Sequence, residues 1–290
     1  MKKVIAINIV LAIATFVIAA EPTKTTEESK ATLQQKQAAA KASLPLTKTI
    51  GLGNDVNLVV VFIPAGEFEM GSPLDELKRD KDESQHRIKL TKPFYMGKFE
   101  VTQLQYRMIM GDNPSKFGGD NLPVDNVNWY EACRFLKKLS DKTGMKFRLP
   151  TEAEWEYACR AGTTTAFNTG TTIDSDFANY DATAPYADGI IGKELKRTCK
   201  VGSYAPNAFG LYDMHGNVWE WCSDIYDKNY YKVTPLTDPK GPQDQQGGDR
   251  VMRGGAWNEK AYKCRSADRN NRGPKANQPI IGFRVVLDIE

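Results

Sequence analysis

The chain has 290 residues and a formal net charge of +3, which falls to +1 without Lys2 and Lys3. A near-neutral surface argues against nucleic acid as the main partner. There are two histidines, His86 and His215, and the five cysteines include no C-x-x-C, so neither a zinc knuckle nor a thioredoxin-like site is present.

Lys2 and Lys3 precede a largely apolar run, 4–20, that ends in Ala19-Ala20. This is the pattern of a secretory signal peptide, residues 1–20; the other reading is an uncleaved N-terminal anchor, for which a run interrupted by Asn8 is short. The expected location is therefore secreted or periplasmic. Export permits disulfides, but five cysteines leave at least one thiol unpaired. Residues 21–55, rich in Thr, Glu, Lys, Gln and Ala, read as a flexible linker with transient helix around 33–42. No later stretch is long or apolar enough to span a membrane.

Residues 56–290 form the expected domain. The apolar run 58–63, stopped by Pro64, predicts a buried strand, and 68–71, 87–90 and 94–97 predict further strands. The charged stretch 75–83 between them reads as a solvated loop. Three helices follow. The first starts after Thr102 and stops before Gly111. The second starts after Asn128, carries Trp129, Ala132, Leu136 and Leu139 on one face, and stops at Gly144. The third has the capping box Thr151-x-x-Glu154 and ends near Gly162. A short strand, 146–149, precedes the third helix. From 163 to 248 the chain reads mostly as loop, which in a compact domain is normally functional or tied down by ions. Two strands, 250–253 and 282–287, close it. The fold class is α+β, a single irregular, loop-rich domain.

Within the loop region, 210–221 reads Gly-Leu-Tyr-Asp-Met-His-Gly-Asn-Val-Trp-Glu-Trp. Asp213 and Glu220 flank a Gly216-Asn217 turn, which can aim backbone carbonyls inward beside the carboxylates. Such a mixture of oxygen donors suits a hard cation such as Ca²⁺.

Several motifs occur in a set order: Phe68-x-Met70-Gly71, Glu100-Val101-Thr102, the run 148–156 (Arg-Leu-Pro-Thr-Glu-Ala-Glu-Trp-Glu), Asn207-x-x-Gly210-Leu211-Tyr212-Asp213, Gly216-Asn217-Val218-Trp219-Glu220-Trp221, Arg253-Gly254-Gly255-x-Trp257 and Gly282-Phe283-Arg284. From about 56 to 288 this resembles the formylglycine-generating enzyme family, also called the sulfatase-modifying factor family. The resemblance implies a C-type-lectin-like fold with structural calcium. One implied site takes side-chain oxygens of Asp213 and Glu220 and carbonyls of Gly216 and Val218. A second takes Asn179 and Asp188 with the carbonyls of Tyr180 and Ile190.

The family's namesake enzyme oxidises a sulfatase cysteine to formylglycine with O₂ and copper. Its Cu(I) is held by two thiolates spaced Cys-x-x-x-x-Cys, because soft ligands hold a soft ion. Counted back from Gly282, those positions fall on Ala261 and Ser266; a two-residue shift puts Cys264 under the second position and Glu259 under the first. No Cys-x-x-x-x-Cys occurs in the chain, so copper is not expected. Cys264 is the one catalytic candidate, as a lone copper or redox ligand, set against buried packing or half a disulfide. His215 is weighed as a ligand or base against an exposed turn residue. Trp219 and Trp221 are weighed as stacking platforms against core anchors, one of them facing inward and the other outward. Arg284 reads as structural and Arg269 is open.

Two functions compete. One is an exported, Ca²⁺-stabilised binding or accessory domain whose partner is a protein, peptide or glycan outside the cell or in its envelope. The other is the formylglycine-generating oxidase itself. A non-haem-iron oxidation, as in the related sulfoxide synthases, would need an added His-rich domain that two histidines cannot supply.

Overall fold

In the computed structural model, which describes residues 28–243 and 247–289, the apolar run stopped by Pro64 is a strand at the heart of the molecule. The elements in chain order are α1 (Lys30–Lys41), β1 (Thr47–Gly53), β2 (Val56–Ile63), β3 (Gly66–Met70), β4 (His86–Leu90), β5 (Phe94–Gly97), α2 (Gln103–Met110), α3 (Trp129–Thr143), β6 (Phe147–Arg148), α4 (Glu152–Arg160), β7 (Trp219–Ile225), β8 (Arg250–Arg253), β9 (Asn270–Arg272), β10 (Ile281–Gly282) and β11 (Val286–Asp288). They make one α+β, loop-rich domain. An antiparallel sheet runs β1-β2-β5-β11-β6, a second runs β10-β7-β8-β9, and β3 pairs with β4. The expected signal segment, 1–20, lies outside the described residues.

The first sheet separates two cores. Successive strand side chains point to opposite faces. Leu58, Val60 and Phe62 of β2 therefore pack in one core with Phe135 and Leu139 of α3. Val61 and Ile63 pack in the other with Trp155 and Ala158 of α4. At about 25 cal/mol per Å² of apolar surface, the run Val60–Ile63, buried on both faces, contributes strongly at each position.

The helix ends follow the sequence signals. Thr102, Asn128 and Thr151 each accept from the third helical N–H while Gln105, Glu131 and Glu154 reach back to the cap, which satisfies orphan backbone donors. Gly111 and Gly144 end α2 and α3 in the left-handed conformation. At the end of α4 that conformation is taken one residue before Gly162, by Ala161.

Three expectations change. The linker reading of 21–55 fails from residue 30 onward, where the chain forms α1 and β1. Their few apolar residues suffice because they dock on an existing sheet: Ile50 and Leu52 are buried along the β2 edge, and the buried Gln35 side chain donates to the carbonyls of Phe62 and Phe209. The loop region 163–248 contains β7, so Trp219 and Trp221 belong to a strand. Being two residues apart they share one face, and both are fully buried. Finally, all five cysteines are free thiols. No helix among the described residues is long and apolar enough to cross a membrane.

Candidate functional site

Strand β7 and the turn before it place the expected cation ligands. Asp213, Gly216 and Asn217 all have positive φ, between 56° and 84°. At Gly216 a side chain would force the turn to move, because a Cβ would lie 2.2 Å from the Asn179 carbonyl oxygen. The turn is therefore locked against the 179–180 segment, and Asn217 N–H donates to that same carbonyl at 2.7 Å.

Glu220 does not present a free carboxylate. Arg284 donates to it through Nε and Nη2 at 2.7 and 2.6 Å, and Trp155 Nε1 donates at 2.7 Å. Acid and guanidinium are both buried, so each supplies the other's counter-charge. This makes Arg284 structural, as its sequence context suggested.

Asp213 is different. Its Oδ2 accepts from Gly202 N–H at 2.6 Å, while Oδ1 is buried without a partner. Beside it stands Glu100, 1% exposed, whose Oε1 accepts from the Asn217 amide at 2.9 Å and whose Oε2 has no partner. Asn179 Oδ1 and Thr198 Oγ1 are also buried and unpartnered. Asn217 ties them together, since its Oδ1 accepts from the Asn179 amide and from Cys199 N–H. Burial pushes the Asp213 carboxyl up to about 6 against the pull of Gly202 N–H. Burial, and then the charge of Asp213, pushes Glu100 well above the usual carboxylate range. Native proteins leave few buried polar atoms unsatisfied, so these four oxygens are a candidate site for a cation or water, and Asp213 and Glu100 are also placed to share a proton. Glu100, Thr198 and Asn217 were not among the expected ligands. The only hint in the sequence is an acid in an apolar frame, Glu100-Val101, ahead of a helix cap.

Of the second expected set, Asn179 and Tyr180 are buried and Asn179 joins the cluster just described. Asp188 and Ile190 are exposed on the 182–192 loop, Ile190 at 65%.

Around α4 the buried glutamates are matched by guanidiniums. Glu152 accepts from Arg269 at 2.7 and 2.9 Å and from Arg253 at 3.1 Å, and Glu156 accepts from Arg253 and Arg160. Burial alone would raise the Glu152 carboxyl, but Arg269 and Arg253 hold it below its ordinary value. Arg269 is thus structural too. A third acidic group, Asp80, Glu83 and Asp268, has ligand atoms within 4.8 Å of one another and could hold a metal ion. In the structure Lys263 bridges Asp80 and Asp268 at 3.0 and 3.1 Å, and Arg265 forks onto Glu83. Two side-chain cations therefore already serve that group.

Residues 54–289 match the sulfatase-modifying factor enzyme 1-like domain. The chain belongs to this family. It is 35% identical over 198 residues to the formylglycine-generating enzyme of Streptomyces coelicolor, covering 66% of this chain and 60% of that one. It is 30% identical over 258 residues to the serine/threonine-protein kinase pkn1 of Chlamydia pneumoniae, covering 79% of this chain but only 38% of that one. The chain thus spans less than two thirds of either relative. Among solved structures, PvdO from Pseudomonas aeruginosa superposes with a TM-score of 0.72 at 30% identity, covering 83% of this chain and 98% of that one. Treponema denticola variable protein 1 gives 0.72 at 28% identity, covering 84% and 99%.

This sulfatase-modifying factor domain lacks the copper-binding cysteine pair. Ala261 and Ser266, at the two expected positions, are buried. The thiol nearest Ser266 comes from α4: Cys159 Sγ lies 3.7 Å from Ser266 Oγ and 3.8 Å from His215 Nε2. Burial pushes that thiol up to about 12. Cys264 is equally sealed, its thiol packed where a Cβ on Gly255 would come within 2.4 Å, and burial raises it well above its ordinary value. In the metal-free chain burial thus favours the neutral thiol at both positions, against the thiolate that nucleophilic attack requires. His215 is buried, correcting the exposed-turn reading. Its Nδ1 lies 2.7 Å from the Cys264 carbonyl and its Nε2 accepts from Asn168 N–H at 3.0 Å. Burial lowers it to about 4, so it is a neutral, fully bonded strut with no lone pair left for catalysis.

Proposed function

We propose that the protein is an exported, calcium-stabilised binding or accessory domain of the sulfatase-modifying factor family that does not carry out the copper-dependent oxidation. The replacement of the thiolate pair by Ala261 and Ser266 carries this reading. The apolar leader-like run after Lys2 and Lys3 supports export. Calcium is supported by the unpartnered oxygens of Glu100, Asp213 and Asn179. These residues would hold the ion, and its charge would offset two buried carboxylates that otherwise repel each other. Glu220, engaged by Arg284, would contribute less than the family pattern implies. The partner would be a protein, peptide or glycan.

One assay separates this reading from the oxidase. The protein is incubated with Cu(I), O₂ and a peptide carrying the Cys-x-Pro-x-Arg sulfatase motif. We expect no aldehyde product by mass spectrometry, and its appearance would overturn the proposal. Calorimetry after chelation tests the ion: added Ca²⁺ raises the melting temperature, and an unchanged transition removes calcium from the account.

A further inference from the structure

Away from the cation cluster, two cavities open side by side. The larger, about 730 Å³, lies between the β4–β5 turn, β6, the start of α4 and the 238–240 segment. The smaller, about 390 Å³, lies between α3 and β6. Arg148 and Ser223 line both, so the two are adjoining chambers of one surface groove that meet at these side chains. Its size is that of a ligand-binding site.

The chambers differ in chemistry. The smaller is walled by Trp129, Leu136, Phe147 and Leu149. The larger has an apolar floor, including Phe94 and Ile289, and a charged rim. Most of that charge is already engaged. Arg148 donates to Glu154 at 2.6 and 2.7 Å and to Asp288 at 2.7 Å, and Lys146 pairs with Asp288 at 3.0 Å. Asp238 accepts from the N–H and hydroxyl of Thr91. Lys92 and Lys240, both exposed on the rim, have no carboxylate partner among the described residues. The groove therefore offers an apolar chamber followed by two uncommitted ammonium groups.

We infer that this groove binds an extended peptide segment in which an aromatic or aliphatic side chain fills the Trp129–Leu136 chamber and a neighbouring acidic side chain meets Lys92 and Lys240. The inference rests on the binding-domain reading and deepens it by naming the partner's chemistry. An extended chain advances about 3.3 Å per residue, so side chains a few positions apart reach successive chambers. A glycan suits the smaller chamber poorly, because its walls are mainly apolar and its polar groups Lys137 and Ser140 are already engaged by Asp141 and by the backbone of Leu136 and Phe147. A membrane surface cannot enter a concave site.

The test is selection of a random short-peptide phage library on the chelator-treated, Ca²⁺-replete full chain, followed by fluorescence anisotropy with the enriched peptides. Enriched sequences should pair an apolar residue with nearby Asp or Glu. Lys92→Glu/Lys240→Glu should weaken their binding about tenfold with the melting temperature unchanged, since both lysines are exposed and unpaired. Cys133→Trp, which fills the apolar chamber, should also abolish binding. A charge reversal far from the groove, Lys48→Glu, should have no effect. No enrichment, a basic consensus, or equal binding by Lys92→Glu/Lys240→Glu overturns the inference. So does binding to phosphatidylglycerol vesicles without peptide binding. If peptide binding fails while the Ca²⁺-dependent melting shift persists, the groove is wrong and the binding-domain reading survives on its other support.

Discussion

The two buried ion clusters differ in how their charge is balanced. Around Glu152 and Glu156, two carboxylates face the guanidiniums of Arg160, Arg253 and Arg269. Around Glu100 and Asp213, the nearby Arg284 is engaged by Glu220 and by the carbonyls of Gly97 and Tyr212, and four oxygens stay without partners. In the first cluster every carboxylate meets a guanidinium within the chain. In the second the carboxylates of Glu100 and Asp213 have no guanidinium of their own, and that difference separates scaffold from candidate site.

The comparison breaks most sharply at Arg253. Arg253→Met should cost about 3–5 kcal/mol in urea denaturation, because it leaves buried carboxylates short of a counter-charge. The loss should be the same with and without Ca²⁺; a calcium-dependent loss would mean the clusters are not independent. Saturating Ca²⁺ at about 100 times its dissociation constant should stabilise the unaltered protein by about 2.7 kcal/mol. Glu100→Gln should remove most of that gain while leaving the calcium-free protein as stable as before or more so. Gly216→Ala should cost about 1–3 kcal/mol through backbone strain and lower calcium affinity by pushing the turn off Asn179.

The pH dependence sharpens the contrast. A carboxyl raised in the folded state binds protons that the unfolded chain has already lost. Asp213 therefore favours folding at low pH, and the calcium-free protein should lose that contribution as pH climbs from about 4 through about 6. Calcium binding displaces those protons, so its stabilising effect should be larger at high pH than at low pH, readable by calorimetry at the two extremes. His215 works in the opposite sense: neutral in the fold down to about 4, it makes stability fall as pH drops below the ordinary histidine value of about 6.5. The smallest effect on stability belongs to Lys92→Glu/Lys240→Glu, within about 0.5 kcal/mol.

Local features were legible in the sequence wherever the physics is local. The caps at Thr102, Asn128 and Thr151, the stops at Gly111 and Gly144 and the buried β2 strand all depend on neighbours within a few positions. The order of motifs was enough to place the family. What escaped depends on distant partners. Glu100 meets Asn217 across 117 positions, and nothing near either residue announces the other. The α1–β1 segment looks too polar to order itself, and it is ordered by the edge of β2. His215 looked exposed because its burial comes from segments around Asn168 and Cys264. Glu220 looked like a ligand because its guanidinium partner lies 64 residues on.

The order of strands in the first sheet constrains how the molecule is made. β11, the last strand among the described residues, sits between β5 and β6 rather than at an edge. During synthesis β5 and β6 emerge long before the strand that joins them. Until residues 286–288 arrive, the sheet ends at β5 and β6 has no strand to pair with. Folding of this sheet should therefore finish late, with a nascent chain that stays accessible to chaperones until β11 is available.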